Sequence, residues 1–279
     1  MTTSSDRFER ILLLVAHPDD ETIACAGLLQ RASAALVVFA VDGAPPHYGF
    51  EKRFGSLQRY ANMRFQEASR ALRLVPHCSH QRLAGPDGAC FVDQHLFLAL
   101  PEAFASLIPV ARQFSPDLVV SHAFEGGHLD HDACHVLATQ LARALSLTAL
   151  EFPIYWRPAD HHDVLQQFRD IRPGEFCLRL SEQELDLKKQ MLAEYHTQLP
   201  LTTVFHPETE RFRPVLQSIN ITPEWSTYPF ENRRRPWNAA PFFQKVSEFW
   251  QVSIPGTSTN NLSEGDHPLT HPTSRHSHH

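Results

Sequence analysis

Residues 11–21 read ILLLVAHPDDE, six apolar residues that end abruptly in a histidine, a proline and three acids. A continuous apolar run of this length is typical of a strand buried on both faces. Helical apolar spacing over residues 22–34 and a second apolar run at 36–41 complete a strand–helix–strand unit. The unit predicts two parallel strands, with the polar residues 17–21 at the carboxyl end of the first.

The same alternation of helical and strand patterns continues along the chain. We therefore predict an α/β, Rossmann-like fold with a mostly parallel sheet and helices on both faces. The further elements expected are helices at about 57–74, 94–114, 130–147 and 181–198, and strands at 117–121 and 150–155.

Composition divides the chain into three parts. Residues 1–200 carry the alternating pattern, residues 201–254 are rich in proline and arginine, and residues 255–279 contain almost nothing to bury. We predict one α/β domain over 1–200, an irregular carboxy-terminal extension over 201–254 that packs on it, and a disordered tail over 255–279.

Composition also excludes several classes of protein. The 279 residues include 25 Lys and Arg, 31 Asp and Glu and 18 His, for a net charge of −6, so no nucleic-acid partner is expected. With no apolar run of about 18 residues and no signal-peptide pattern, we expect a cytoplasmic protein without a membrane span. The five cysteines never form a CxxC pair, which argues against a disulfide framework or a cysteine zinc site. Nothing in the sequence indicates the oligomeric state.

Two polar loops are expected at the same edge of the sheet. Residues 17–21 follow the first strand, and residues 126–132 (GGHLDHD) follow the strand at 117–121. Acids at the start of a helix are ordinary capping groups, but capping does not explain the histidines. His17, Asp20 and one histidine of the second loop could hold zinc with a position left open for water, while a spare carboxylate acts as a base.

In this order and about 110 residues apart, the two blocks resemble the PIG-L/LmbE-like family of zinc-dependent N-acetylglucosaminyl deacetylases. The similarity extends to Asp42-Gly43, to residues 64–68 (RFQEA), and to the K-x-x-M-L-x-x-Y-x-T-Q pattern of residues 188–198. It covers roughly residues 9–200.

The resemblance implies one Zn²⁺ per chain, with another divalent metal as the alternative, bound by His17, Asp20 and His131. The other residues to which it assigns a role are Asp19 as general base, His128 as a cationic group for the oxyanion or the departing amine, Asp130 as the residue that orients His128, and Arg64 as a substrate-binding group.

The implied substrate is a small N-acetylated sugar, an N-acetylglucosamine-type glycoside. The sequence does not choose among inositol, malate, chito-oligosaccharide and antibiotic acceptors. Some members carry a mobile tyrosine two residues before the first histidine of the second block, and this chain has Gly126 there. A phenolic contribution to the oxyanion site must therefore come from elsewhere or be absent.

Other interpretations stay open at this point. The sequence His131-Asp132-Ala133-Cys134-His135 imitates the H-E-x-x-H helix of zinc peptidases, although that interpretation leaves residues 17–20 unexplained. The triplet Asp160-His161-His162 resembles the D-H-H triplet of some two-metal phosphoesterases, but the sequence lacks the early D-x-D strand motif expected with it. A sugar- or metal-binding module without catalytic activity is the main alternative of another class.

Overall fold

The computed structural model describes residues 8–158, 162–216 and 239–251. Its strands are β1 (Phe8–Val15), β2 (Ala32–Phe39), β3 (Cys78–Arg82), β4 (Leu118–His122), β5 (Thr148–Phe152), β6 (Tyr155–Trp156), β7 (Val164–Leu165), β8 (Phe176–Arg179) and β9 (Thr209–Pro214). Its helices are α1 (Asp20–Arg31), α2 (Phe50–Phe54), α3 (Leu57–Leu72), α4 (Leu100–Phe114), α5 (Leu129–Leu145), α6 (Glu182–Ala193), α7 (Leu199–Thr202) and α8 (Ala239–Gln251).

Seven strands form one mixed sheet in the order β3-β2-β1-β4-β5-β9-β8. Strands β1 to β5 run parallel, and β9 pairs antiparallel with both β5 and β8. At the centre of the sheet, Leu12 lies opposite Leu36 on one side and Val119 on the other. The predicted α/β fold class with a mostly parallel sheet is therefore confirmed.

Successive residues of β1 face opposite sides of the sheet, as the two-residue period of a strand requires. Leu12 and Leu14 pack in the layer that contains residues of α4, α5 and α8, whereas Ile11, Leu13 and Val15 pack in the layer with residues of α1, α3 and α6. All five side chains are fully buried. A strand with two buried faces needs an unbroken apolar sequence, which is the pattern that residues 11–16 show.

The structure departs from the predicted elements at several places. The helix expected from residue 94 begins at Leu100, after a single 3-10 turn at Leu96–Ala99. Strand β3 was not predicted because its sequence CSHQR carries no apolar run, and it lies at an edge of the sheet. An edge strand pairs on one side only and tolerates polar side chains.

The predicted extension over 201–254 contributes directly to the sheet. Strand β9 lies within that range but pairs between β5 and β8, and α8 buries Phe242 and Val246 in the core. The sheet therefore does not end at residue 200. The rest of the extension between residues 217 and 238, and the predicted tail, lie outside the described residues, so the three-part division stays a prediction.

No helix in the described part of the chain combines the length and the apolar character that a membrane crossing requires.

Candidate metal centre

The first polar loop joins β1 to α1 at the carboxyl edge of the sheet. The strand ends at Val15, and α1 begins at Asp20 with Asp19 as its N-cap residue. The backbone N–H of His17 donates to Asp20 Oδ2 at 2.8 Å, which ties the loop to the first turn of the helix. The side chains of His17, Asp19 and Asp20 are all buried, and both acids lie at the positive end of the helix dipole.

The second polar loop joins β4 to α5 and depends on two glycines. Gly126 has a φ of 71°, a left-handed conformation that favours glycine. A Cβ on Gly127 would lie 2.0 Å from the carbonyl oxygen of Tyr155, so only glycine permits this approach of the two backbones. His128 caps α5, its Nδ1 accepting the Asp130 N–H at 3.1 Å. The second loop therefore packs directly against the backbone of Tyr155 at Gly127.

The two loops bring the three predicted metal ligands into contact. His17 Nδ1 lies 3.3 Å from Asp20 Oδ2 and 3.3 Å from His131 Nε2, and His131 Nε2 lies 3.5 Å from Asp20 Oδ2. Ligands placed tetrahedrally at zinc bond lengths of about 2.0–2.2 Å lie about 3.3–3.6 Å from one another. The three atoms therefore have the separations of one face of a zinc coordination tetrahedron.

The charges around these atoms also favour a cation. On its other nitrogen, His17 Nε2 lies 3.5 Å from Asp93 Oδ1 and 3.6 Å from Asp130 Oδ2. Burial, together with the neighbouring His122, lowers the pKa of His131 well below 6.5, which leaves a neutral ring with a lone pair to donate. Burial would also lower the pKa of His17, but Asp93, Asp130 and Asp20 raise it well above 6.5. Carboxylates and imidazoles that converge in a buried site are the donor set that a divalent metal requires.

Asp19, the predicted base, lies beside Arg64 from helix α3. Arg64 Nη2 lies 3.0 Å from Asp19 Oδ1, and its Nη1 donates to the carbonyl oxygen of Gly43 at 2.7 Å. Burial raises the pKa of Asp19 to about 6, although the Arg64 charge opposes that rise. The Asp42-Gly43 and RFQEA segments, which are distant in sequence, thus meet next to the base.

The environment of His128 differs from the prediction. Burial, together with the neighbouring His17, lowers the pKa of His128 to about 4, so the ring is neutral at pH 7 rather than cationic. Because Nδ1 accepts a hydrogen bond, the proton of the neutral ring is on Nε2. A neutral imidazole of this tautomer can still donate a hydrogen bond to a developing oxyanion.

Asp130 contacts His128 through its backbone, whereas its carboxylate has other partners. That carboxylate accepts the backbone N–H groups of Gln94 at 2.5 Å and Leu96 at 3.2 Å. The predicted orientation of His128 by Asp130 therefore uses the N–H at the start of α5. The carboxylate instead fixes the loop that leads into α4.

Sequence reasoning missed several residues that lie beside the three ligand atoms or line the cleft above them. His122 stacks on His131, with ring centroids 4.0 Å apart, and its Nε2 lies 3.4 Å from Asp20 Oδ2. Position after a predicted strand was the one available signal for His122, and none existed for Asp93. The residues that line the cleft are His17, Asp19, Asp20, Ile23, Pro45, Tyr48, Phe50, Tyr60, Arg64, Asp93, Gln94, His128, His131, Ile154, Tyr155, Gln198 and Phe205.

His135, the second histidine of the peptidase-like pattern, points away from this cluster. Its Nδ1 lies 2.9 Å from the carbonyl oxygen of His122 and 3.2 Å from Glu151 Oε2. Within the described part of the chain, no group of potential metal ligands includes His135. The geometry gives the zinc-peptidase interpretation no support. Of the phosphoesterase-like triplet, Asp160 and His161 lie outside the described residues.

Comparison with known protein sequences agrees with the chemistry of the cluster. Residues 12–142 match the model of the family described as PIG-L, GlcNAc-PI de-N-acetylase. A 1D-myo-inositol 2-acetamido-2-deoxy-alpha-D-glucopyranoside deacetylase of Kineococcus radiotolerans is 27% identical over 207 residues, which cover 63% of this chain and 57% of that protein. The enzyme of the same name from Rhodococcus erythropolis is 28% identical over 174 residues, covering 53% of this chain and 57% of that protein. The chain thus spans little more than half the length of these relatives.

Solved structures share the fold at low sequence identity. A teicoplanin deacetylase in a zinc-inhibited form aligns with a TM-score of 0.56 and 17% identity, over 76% of this chain and 99% of that one. The N,N'-diacetylchitobiose deacetylase of Pyrococcus horikoshii aligns with a TM-score of 0.51 and 15% identity, over 74% of this chain and 83% of that one. At such identities the likeness establishes the fold. The likeness to the PIG-L family rests on the match of residues 12–142 to the family model.

Proposed function

We propose that the protein is a zinc-dependent hydrolase that removes the N-acetyl group from an N-acetylglucosamine-type glycoside. The observation that carries the proposal is the set of three ligand atoms, from His17, Asp20 and His131, with mutual separations of 3.3–3.5 Å. The family match and the two deacetylase relatives support the choice of an amide bond on an amino sugar. A cytoplasmic location stays a prediction.

His17, Asp20 and His131 would hold the metal. Zinc in that position would supply a Lewis acid that polarises the amide carbonyl and lowers the pKa of water. The carboxylate–histidine contacts of His17 with Asp93 and Asp130, at 3.5 and 3.6 Å, would orient the ring of that ligand.

Asp19 is placed to act as the base. Its carboxylate lines the cleft beside the ligand atoms, and burial raises its pKa to about 6. A base of this pKa is ionised at neutral pH and still binds a proton strongly enough to take one from water. Arg64, 3.0 Å away, keeps the carboxylate in position and leaves its remaining donors near the sugar-binding space.

His128 would stabilise the negative charge that develops on the acetamide oxygen. Its neutral ring carries the proton on Nε2, because Nδ1 accepts the Asp130 N–H. A fixed donor in a buried site requires little reorganisation during the reaction, which is why such groups contribute strongly to catalysis. As the C–N bond breaks, the proton held by Asp19 would pass to the nitrogen of the leaving amine, and the oxygen of the attacking water would remain in the released acetate.

The experiment is a measurement of bound zinc and of released acetate on the same preparations of full-length protein. We expect His131→Ala to lose one equivalent of zinc and all activity toward N-acetylglucosamine glycosides. His135→Ala, one helical turn further along α5, is the matched control and should keep the zinc. The tail histidines are identical in both variants, so zinc that binds there cancels in the comparison.

Two results would contradict the proposal. Loss of zinc only with His135→Ala would favour the peptidase-like arrangement. Stoichiometric zinc without release of acetate from any N-acetylated sugar would leave a metal-binding module without this activity.

A further inference from the structure

One wall of the cleft is a stack of aromatic rings between β2 and α3. We call Tyr48, Phe50, Phe54 and Tyr60 the aromatic wall. The rings of Phe50 and Tyr60 lie 4.3 Å apart at 23°, and those of Phe54 and Tyr60 lie 4.6 Å apart at 19°. The rings of Tyr48 and Phe50 lie 6.0 Å apart at 17°. The near-parallel rings form a continuous apolar surface.

Three members of the aromatic wall, Tyr48, Phe50 and Tyr60, line the cleft. Tyr60 is buried, whereas Tyr48 and Phe50 keep part of their surface exposed. The hydroxyl of Tyr60 accepts the side-chain amide of Gln198 at 2.8 Å, which fixes the central ring of the stack. Three of the four rings of the aromatic wall therefore contribute to the lining of the cleft, and the hydrogen bond from Gln198 holds the central ring in place.

The rest of the outer cleft is apolar as well. The charged lining residues described in the structure all belong to the ligand cluster and its Asp19–Arg64 neighbour. The remaining lining is mostly apolar, from Ile23, Pro45, Ile154, Tyr155 and Phe205. Gln94 and Gln198 are its uncharged amide side chains.

This division of the cleft has a consequence for the substrate. The charged cluster can accept the acetamide and sugar hydroxyls, but the outer cleft offers few partners to a polyol. A hydroxyl that loses water without gaining a partner weakens binding, whereas an apolar ring gains from leaving water. We propose that the aromatic wall binds the aglycone, and that the preferred aglycone is an apolar ring rather than a polyhydroxylated one.

The inference rests on the proposed deacetylase function and names the substrate class of the same site. Its test compares four N-acetylglucosaminides that differ only in the aglycone: phenyl, cyclohexyl, myo-inositol and a second N-acetylglucosamine. We expect kcat/KM for the phenyl and cyclohexyl glycosides to exceed that for the inositol glycoside by roughly tenfold. A rate that is equal for all four, or highest for the disaccharide or the inositol glycoside, would overturn the inference.

Variants then locate the preference. Phe50→Ala should reduce the ratio of phenyl to inositol kcat/KM by roughly tenfold. Phe176→Ala, on the distant strand β8, removes a partly exposed ring elsewhere and should leave the ratio unchanged. If the alanine variant does not fold, Phe50→Leu is the alternative, because it keeps an apolar side chain. It should retain part of the preference for the phenyl glycoside.

A binding measurement separates this inference from the proposed function. Calorimetric titration of the Asp19→Ala variant with the phenyl and inositol glycosides reports the preference without turnover. Tighter binding of the phenyl glycoside with no acetate release by wild type would contradict the deacetylase function alone. Acetate release with equal binding of the two glycosides would contradict the aromatic-wall inference alone.

Discussion

Helix α1 contacts two buried polar groups of opposite character. At its amino terminus, Asp20 belongs to the ligand cluster, where it lies close to His17 and His131, and Asp19 lies beside that cluster. In its middle, Glu210 of β9 accepts the N–H groups of Gly27 at 2.8 Å and Leu28 at 3.0 Å. Lys188 of α6 donates to the same carboxylate at 2.8 Å. We call this second group the carboxylate anchor.

The two groups differ in how completely their charges are compensated. In the carboxylate anchor one buried anion meets one buried cation, and both oxygens accept hydrogen bonds. In the ligand cluster Asp20, Asp93 and Asp130 lie within 3.6 Å of His17. Burial would lower the pKa of His17, but these three carboxylates raise it well above 6.5. With Asp19 and its partner Arg64 included, four carboxylates meet two cations. The anchor therefore compensates its own charges, whereas the cluster keeps an excess of negative charge that a bound cation would offset.

The largest expected effect tests the functional side of this comparison. Asp19→Asn should reduce deacetylase activity by about 10²- to 10⁴-fold, because the amide cannot accept the proton. Zinc content should stay at one equivalent, since the three ligands remain. Steady-state kinetics and metal analysis measure both quantities. The control is Asp87→Asn, which changes an exposed loop residue. If Asp19→Asn were as active as wild type, Asp19 would not be the base.

The carboxylate anchor should show the opposite response. Glu210→Gln leaves Lys188 fully buried without a counter-charge, and breaking a buried pair in this way costs about 3–5 kcal/mol of unfolding free energy. Urea unfolding measures the loss, and the folded variant should keep its activity. The neighbouring exposed Glu208→Gln serves as the control. Stability equal to wild type in Glu210→Gln would contradict the structural role of the anchor.

A second compensated group adds a pH dependence. Burial raises the pKa of Glu151, but hydrogen bonds from His135 and Arg213 outweigh it, so the pKa lies below 4.5. A depressed folded pKa contributes stability above the unfolded value, and this contribution is lost as pH falls through the folded pKa.

Glu151→Gln should therefore be less stable than wild type by about 2 kcal/mol at pH 7. This loss is smaller than the one expected for Glu210→Gln, because Arg213 still has Asp170 as an ion-pair partner at 2.9 Å. The difference should shrink below about pH 4.5 in unfolding measured across pH. A difference that is constant from pH 7 to pH 3 would show that the charge of Glu151 is not responsible.

The smallest effect is expected where compensated charges are only partly buried. Arg31 Nε donates to Glu184 at 2.6 Å, and this contact lowers the pKa of Glu184 to about 2. Solvent screens a pair in this position, and glutamine can keep the capping box of α6, so Glu184→Gln should cost about 1 kcal/mol or less. The contribution should be lost as pH falls from about 4.5 toward 2. A loss as large as that at Glu210 would show that exposure does not govern these pairs.

Local sequence patterns predicted most of the central fold. Residues 11–16 and 36–41 produced buried parallel strands because a strand covered on both faces needs an unbroken apolar run. Strands β3 and β9 escaped prediction for the complementary reason. Edge strand β3 is polar, and β9 carries Glu210 and Arg213, whose buried charges are compensated by residues distant in sequence.

The candidate site was predicted in part. His17, Asp20 and His131 were assigned by the order of two motifs, and the structure brings their ligand atoms within 3.5 Å of one another. No sequence motif marked Asp93 or the aromatic wall. Asp93 reaches the cluster through the loop between β3 and α4, and the aromatic wall does so through the packing of the segment before α3.

The sequence by itself determined the strand–helix alternation and the two polar loops that end at one edge of the sheet. Periodicity and short motifs are local properties, and parallel strands place their carboxyl ends together. Only the tertiary structure decided the protonation state of His128, the partners of Asp130 and the apolar character of the outer cleft. Each of these depends on burial and on neighbours far away in the chain, such as the Gly127–Tyr155 backbone contact that closes the site.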